Sequence, residues 1–281
     1  NICNVPQSLI EKHIRKGNIK INQQKEKSSY KLQKNDEIIL RNINFSSNQS
    51  TKNKKKYLAT KKELNYTSKL FLENNDNFAV INKPSGIAVQ SGTKSRRNVL
   101  DILHGTKEFE GGYPYAVHRI DKETSGNLLV AKNRKYAQLF TSLFRIRKIH
   151  KTYLGIVIGS LPNKRGSLID ELHYYEGKSV IKSKAITHYT VLDNNNHYSL
   201  LKLNPETGRK HQLRKQLLIH GCPILGDSKY RLSKIRSEKK NSLMLHAYKI
   251  NFSIANKKFN FEATPPELFT NTLKEKYLKI F

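Results

Sequence analysis

The chain has 281 residues, of which 52 are Lys or Arg and 22 are Asp or Glu, so its formal net charge is +30. This length suits two domains, and the positive charge, spread along the chain, predicts a polyanionic partner, with nucleic acid the first choice. With no apolar run of about 18 residues and no signal peptide at its start, the sequence argues against a membrane protein. The two cysteines, Cys3 and Cys222, have no metal-like spacing and indicate a reducing, cytoplasmic location. A general bias of the composition towards Lys, Asn and Ile is the alternative explanation of the charge.

The first 45 residues predict a small α/β module. Residues 6–17 have a helical apolar stripe and end at Gly17, which suits the left-handed position after a helix. A short strand is expected at residues 19–22, and a turn followed by a strand at residues 35–41. Basic residues of the helix are expected to contact RNA phosphates, although a solvated basic face is the alternative; they are Lys12, Arg15 and Lys16.

Residues 46–62 are polar and charged without hydrophobic periodicity, which predicts a basic linker. A larger domain is expected at residues 63–281. Its strands are predicted at residues 70–73, 78–82, 128–131, 153–158, 185–192, 198–203, 244–252 and 258–263, and its helices at 98–103, 135–146, 210–220 and 266–279. Strands exceed helices and lie mostly in hairpin-like runs, so the pattern favours an α+β domain with a largely antiparallel mixed sheet.

The stretch HRIDKETSG, residues 118–126, lies between an extended run and an apolar strand. It places the carboxylate of Asp121 two residues after Arg119, in a loop supported by a sheet, where catalytic residues are common. On spacing alone, a solvated turn with an ordinary Arg–Asp pair is the more typical interpretation.

Four motifs occur along the larger domain: INKPSG (81–86), HRIDKETSGNLLVAK (118–132), KTYLGIV (151–157), and TGRKHQLR (207–214) continued by HGCPILGDSKY (220–230). In this order they resemble the motifs of the RluA-type pseudouridine synthases, enzymes that isomerise uridine within RNA. The resemblance implies the α+β fold of that family and a reaction without a metal or other cofactor. It also implies that the target base leaves its stack.

The resemblance also implies roles for single residues. Asp121 matches the carboxylate that acts on the sugar as nucleophile or base, Arg214 matches its arginine partner, and Tyr153 matches the tyrosine that stacks on the extruded uracil. Without the motif, a core tyrosine on a strand would be the better interpretation of Tyr153. Substrate contacts are expected from Arg119, in the gap left by the flipped base, and from His118, Thr124, Arg209 and His211. Histidines 118, 211, 220 and 246 match no zinc spacing and are interpreted as structural hydrogen-bonders or phosphate contacts.

The sequence departs from the family pattern at three places beside the expected site: Asn127, Lys210 and the pair Lys215–Gln216. Residues 1–45 resemble an RNA-binding module named after a primary-binding protein of the small ribosomal subunit, truncated at its start. Within the family, the chain is most similar to members that modify large-subunit ribosomal RNA. The expected function is therefore a monomeric synthase acting on that RNA. The alternatives are a synthase for another ribosomal site or for tRNA, and a non-catalytic RNA-binding assembly factor.

Overall fold

The computed structural model describes residues 7–41, 43, 57–92, 96–176, 179–232 and 242–279. The chain divides into two compact units, Asn1–Lys55 and Lys56–Phe281. Most of the predicted linker, residues 46–56, lies outside the described residues. Within the described ranges, no helix is both long and apolar enough to cross a membrane.

The first unit contains one helix and one two-stranded sheet in its described part. Helix α1 (Gln7–Lys16) ends before Gly17, whose φ of +74° confirms the predicted left-handed position. Strands β1 (Ile19–Ile21) and β2 (Ile38–Leu40) confirm the two predicted strands, and they pair antiparallel. The three basic residues singled out on α1 are exposed, so their charges are available to a partner.

The second unit begins with a helix that the sequence interpretation missed. Helix α2 (Lys61–Thr67) starts at a capping box, in which the Thr60 side chain accepts from the Glu63 backbone N–H and Glu63 bonds back to Thr60. The prediction of a linker up to residue 62 was therefore wrong at its end. The signal was present, because Thr-x-x-Glu satisfies two helix N–H groups that otherwise have no partner.

In the described part of this unit, ten strands form one sheet: β3 (Phe71–Asn74), β4 (Phe78–Lys83), β5 (Tyr115–Ala116), β6 (Ser125–Ala131), β7 (His150–Ile158), β8 (Arg165–Glu176), β9 (Ser179–Asn194), β10 (Tyr198–Pro205), β11 (Leu245–Ile254) and β12 (Lys257–Glu262). Their order in the sheet is β3-β4-β6-β11-β7-β10-β9-β8, with β12 beside β11 and β5 beside β6. The remaining helices are α3 (Val99–His104), α4 (Arg134–Arg145), α5 (Gln212–Ile219) and α6 (Glu267–Glu275). All pairings between these strands are antiparallel except that of β6 with β11, which confirms the predicted α+β fold with a largely antiparallel mixed sheet.

Strands β4 and β6 are buried on both faces, which makes the centre of the sheet a rigid support. Alternate residues of each strand pack towards α3 on one side and towards α4 on the other. Phe78 of β4, for example, makes an edge-to-face contact with Phe140 of α4, with ring centroids 5.5 Å apart. Continuous apolar runs such as those of β4 and β6 are typical of strands covered on both faces.

The parallel pairing of β6 with β11 brings two backbones unusually close at Gly126. A Cβ atom at this position would lie 2.3 Å from the carbonyl oxygen of Ala247, and the φ of Gly126 is +106°. Only glycine fits such a backbone conformation and approach. Because Gly126 is the last residue of the HRIDKETSG stretch, the junction fixes one end of that loop.

Candidate active site

The loop between β5 and β6, which carries Asp121, is held by the loop that follows β4. The Gly86 N–H donates to the Lys122 carbonyl over 2.8 Å, and the Ser85 hydroxyl donates to the Glu123 carbonyl over 2.6 Å. These bonds join the INKPSG and HRIDKETSG motifs, which are separate in sequence. The first motif therefore acts as a brace for the second.

Lys83 makes the strongest part of this brace, and the sequence interpretation missed it. Its side chain is completely buried, and its Nζ donates to the carbonyls of Pro84 (2.8 Å), Ile87 (2.9 Å) and Lys122 (3.2 Å). Burial lowers the pKa of Lys83 to about 7, against the opposing effect of the nearby carboxylates. A buried lysine with three carbonyl partners is expected to fix a loop, since its ammonium group supplies three donors.

The Asp121 carboxylate faces the guanidinium of Arg214 from helix α5. Arg214 Nη1 lies 3.2 Å from Asp121 Oδ2 and 3.7 Å from Glu123 Oε2. The Arg214 side chain is 4% exposed, whereas that of Asp121 is 25% exposed. The carboxylate therefore remains open to a substrate on one side while a fixed cation orients it from the other.

Arg214 is itself fixed by Asp227, a partner that the sequence interpretation did not identify. Arg214 Nε and Nη2 donate to the two Asp227 oxygens over 2.7 and 2.8 Å, in a bidentate pair. Burial alone would raise the pKa of Asp227, but Arg214 and the backbone N–H groups of Lys229 and Tyr230 outweigh it and lower that pKa. Burial alone would lower the pKa of Arg214, but Asp227 and Asp121 outweigh it and raise that pKa. Both groups are therefore charged at neutral pH.

Helix α5 is anchored by polar side chains where the sequence departs from the family pattern. Gln216 is fully buried, and its Nε2 donates to Asp170 Oδ2 over 2.7 Å while its Oε1 accepts from the Thr187 hydroxyl over 2.7 Å. Lys215 Nζ donates to the backbone of strand β8. The departure at residues 215–216 thus fixes the helix that presents Arg214.

The prediction that His211 lies on the same helix as Arg214 was wrong. The helix starts at Gln212, and His211 precedes it as the N-cap residue, with φ +53° and ψ +33°. Its Nε2 lies 3.7 Å from Asp121 Oδ1. The sequence could not reveal this backbone turn, because a left-handed conformation is uncommon for residues other than glycine.

Tyr153 reaches the site from β7, the strand next to β11. It is half-buried and packs against two of the apolar clusters of the sheet. Burial raises the pKa of its hydroxyl, and the Asp121 carboxylate adds to the effect. The hydroxyl is therefore protonated at neutral pH and available as a hydrogen-bond donor.

The histidines of the motifs make structural hydrogen bonds. The Leu129 N–H donates to His118 Nε2 over 2.9 Å, and burial together with Lys151 lowers the pKa of His118 to about 3. A neutral ring with one nitrogen engaged favours a structural role over a charged phosphate contact. His246 is likewise buried, between the Ser125 hydroxyl (2.9 Å) and the Ala263 carbonyl (2.8 Å).

One cavity of about 580 Å³ brings most of the predicted site residues together. Its lining includes Asp121, Tyr153, Arg214, His118, Arg119, Thr124, Arg209 and His211. Further cations line it at Arg145, Arg147 and Lys151, which suits a polyanion. Lys12, Arg15 and Lys16 belong to the first unit, where they lie on helix α1.

Within the cavity, the predicted substrate contacts differ in exposure. Arg119 and Arg209 are exposed, and Arg209 Nε donates to the Lys184 carbonyl over 3.1 Å. Thr124 is buried, and its N–H donates to the Asp121 carbonyl over 3.1 Å, which shapes the turn that carries Asp121. Among the described residues, no group of three or more His, Cys, Asp or Glu side chains could hold a metal ion.

Comparison with known proteins gives one consistent result. A family described as RNA pseudouridylate synthase matches residues 77–218. A "Ribosomal large subunit pseudouridine synthase C" of Buchnera aphidicola subsp. Baizongia pistaciae is 33% identical, over 93% of this chain and 86% of that protein. A protein of the same name from Rickettsia felis is 33% identical, over 96% and 92%. Among solved structures, the human RNA pseudouridylate synthase domain containing 4 is similar, with 26% identity, a TM-score of 0.66 and coverage of 77% of this chain and 96% of that one.

Proposed function

The chain belongs to the RNA pseudouridylate synthase family, and from this membership we propose that it converts specific uridines of large-subunit ribosomal RNA to pseudouridine. The relatives named above carry that substrate in their names, and we assign this chain to the RluC type of the RluA-type synthases. We propose further that the enzyme is cytoplasmic, acts as a monomer and uses no metal. The net charge of +30 suits a ribosomal RNA partner.

The observation that carries the proposal is the pairing of Asp121 with a buried Arg214, in a cavity that Tyr153 also lines. Isomerising uridine breaks its glycosidic carbon–nitrogen bond and forms a carbon–carbon bond at C5. An ionised carboxylate serves this reaction either by attacking the anomeric carbon or by removing the 2′ proton. Arg214 donates to the carboxylate and fixes its direction in both cases. The C5 hydrogen then leaves as a proton, and N1 gains one.

The proposal is tested by mapping pseudouridines in ribosomal RNA and tRNA from cells with and without the gene. We expect defined large-subunit sites to lose pseudouridine in the deletion strain and to regain it when the purified protein acts on that RNA. Loss of pseudouridine confined to tRNA or to small-subunit RNA would show that this RNA is the substrate instead. Unaltered modification together with a ribosome assembly defect would favour the non-catalytic alternative.

Tyr153 allows stacking to be separated from proton transfer. Tyr153→Phe keeps the ring for stacking but removes the hydroxyl, so we expect unchanged binding and a single-turnover rate lowered by about 100-fold. Tyr153→Ala should also weaken RNA binding, because stacking on one base contributes about 1–3 kcal/mol. Binding titrations and single-turnover assays measure both quantities. If the two variants lost affinity alone, the hydroxyl would have no chemical role.

The first unit is proposed to anchor the enzyme to its RNA. Lys12, Arg15 and Lys16 are exposed on α1, and each phosphate that they neutralise contributes a slope of about −0.7 to −0.9 in log affinity against log salt. Replacing all three by Gln should therefore flatten the slope by about 2–3 units if each contacts one phosphate. Activity on long RNA should fall, whereas a short RNA at high concentration should still be modified.

The matched control replaces three exposed lysines of the same unit that lie outside α1: Lys27, Lys31 and Lys34. Both triple variants lose the same charge, so a general electrostatic effect would change both slopes equally. A slope change confined to the α1 variant supports a specific contact. Equal slopes in both variants and in the wild type would contradict anchorage by α1.

A further inference from the structure

His211 adopts a backbone conformation that few residues other than glycine accept. Its φ of +53° and ψ of +33° lie in the left-handed region, where a non-glycine residue persists only when its surroundings hold it. Here Gln212 supplies that support, because its Oε1 accepts from the Thr207 hydroxyl (2.7 Å) and the Arg209 N–H (3.0 Å). The turn before α5 is therefore fixed, and with it the direction of the imidazole ring.

The two ring nitrogens of His211 face two different partners. Nε2 lies 3.7 Å from Asp121 Oδ1, and Nδ1 lies 2.8 Å from the Tyr230 hydroxyl oxygen. Arg214 takes the other oxygen of the carboxylate, at 3.2 Å from Oδ2. The separation at Nε2 is longer than a hydrogen bond, but catalytic contacts often shorten when substrate binds.

These contacts determine which nitrogen of a neutral His211 carries the proton. The ionised Asp121 carboxylate can only accept, so Nε2 must present its N–H to that side. Nδ1 is then the acceptor, and the Tyr230 hydroxyl donates a hydrogen bond to it. Tyr230 is itself held, because its N–H donates to Asp227 Oδ1 over 2.9 Å and the Arg214 guanidinium lies 5.2 Å from its ring centroid.

We propose that His211 is a positioning residue that fixes the second oxygen of Asp121, and that the Tyr230 hydroxyl selects the imidazole tautomer needed for it. This inference rests on the proposed function. It assigns to His211 a role beyond substrate contact and gives Tyr230 a role in the reaction. Arg214 and His211 together set the direction in which the carboxylate meets the sugar.

The contact between His211 and Tyr230 predicts how the pKa of His211 and the pH dependence of the rate should shift when it is lost. Burial lowers the pKa of His211; Asp121 raises it, and Arg214, Lys229 and Lys210 lower it further. A phenol hydroxyl donates more strongly than its oxygen accepts, so the bond from Tyr230 favours the neutral ring over the imidazolium. Losing that bond should therefore raise the pKa of His211. At pH values below the pKa of His211, its imidazolium pairs with Asp121 and makes the carboxylate less reactive. The acid limb of the rate profile should therefore follow His211.

The experiment uses the full chain with Tyr230→Phe, His211→Asn and, as a matched control, His220→Asn. His220 follows the other end of α5 and faces Asp170 over 3.3 Å, away from the cavity lining. Asparagine tolerates the left-handed backbone, so His211→Asn removes the ring without adding strain. Histidine ring signals are titrated by NMR, with His211 assigned from its loss in His211→Asn. Rates are measured as tritium release from large-subunit ribosomal RNA labelled at uracil C5.

Tyr230→Phe should move both the His211 titration and the acid limb of kcat to higher pH, by about 0.5–1 unit. His211→Asn should lower kcat by about 10- to 100-fold with little change in KM, and His220→Asn should match the wild type. An unmoved His211 titration in Tyr230→Phe, or a wild-type rate profile in His211→Asn, overturns the inference. A wild-type protein that forms no pseudouridine overturns the proposed function instead, while the titration still decides the His211–Tyr230 contact.

Discussion

Asp121→Asn is expected to abolish pseudouridine formation while RNA affinity stays within a few-fold of wild type. The substitution removes the negative charge that acts on the sugar but changes the side-chain volume little. Loss of such a group lowers the rate by about 10⁴-fold or more. Binding should not suffer, because a carboxylate repels phosphates and its removal cannot weaken their contacts. Single-turnover tritium release and binding titrations on the same RNA measure the two effects.

Glu123→Gln is the matched control for this prediction. Glu123 lies in the same loop, 3.7 Å from the same Arg214 atom, and its side chain is 49% exposed. The variant loses the same charge, so it should keep a rate within a few-fold of wild type. Product formed by Asp121→Asn at the rate of Glu123→Gln would contradict the assignment of Asp121.

The convergence of the three proposed catalytic residues on one cavity could be expected from the sequence, but the residues that hold them could not. Asp121, Tyr153 and Arg214 stand in motifs that can be read in order along the chain, and the structure brings all three to one cavity. Asp227 follows Arg214 by 13 residues, in the HGCPILGDSKY continuation of the fourth motif. No periodicity links the two, because their contact depends on how the chain returns after α5.

A polar contact also explains why strand β8 was not predicted from the sequence. Strand β8 presents Leu168, Asp170 and Leu172 on one face, and the carboxylate interrupts the apolar alternation that predicts a strand. The two leucines are buried, and Asp170 is tolerated between them because Gln216 donates to it over 2.7 Å. Such a pair is visible only once α5 is placed against β8.

Asp227→Ala is expected to destabilise the second unit and to inactivate the enzyme together. The Asp227 side chain is fully buried, and its loss leaves the charge of Arg214 without its bidentate partner. Breaking a buried pair in this way costs about 3–5 kcal/mol. For a domain of this size, each kcal/mol lowers Tm by about 2–4 °C, so a decrease of about 6–20 °C is expected. Calorimetry and the tritium-release assay measure the two losses.

The pH dependence of this stabilisation follows from the lowered pKa of Asp227. A carboxyl group whose pKa is lower in the folded state makes its full contribution to the free energy of unfolding at pH values above its unfolded pKa of about 3.9. The contribution is lost as pH falls from there through the folded pKa. The difference in unfolding free energy between wild type and Asp227→Ala should therefore be constant near neutral pH and shrink below about pH 4.

A double variant separates stability from catalysis at this pair. Arg214→Met combined with Asp227→Leu removes both buried charges, and replacing a buried ion pair by apolar groups is often neutral for stability. We expect its Tm to recover towards wild type while activity stays absent, since Asp121 has lost its guanidinium. If the double variant regained activity with stability, Arg214 would serve only the fold. If Asp227→Ala kept wild-type Tm and rate, the buried pair would neither stabilise the domain nor orient Asp121.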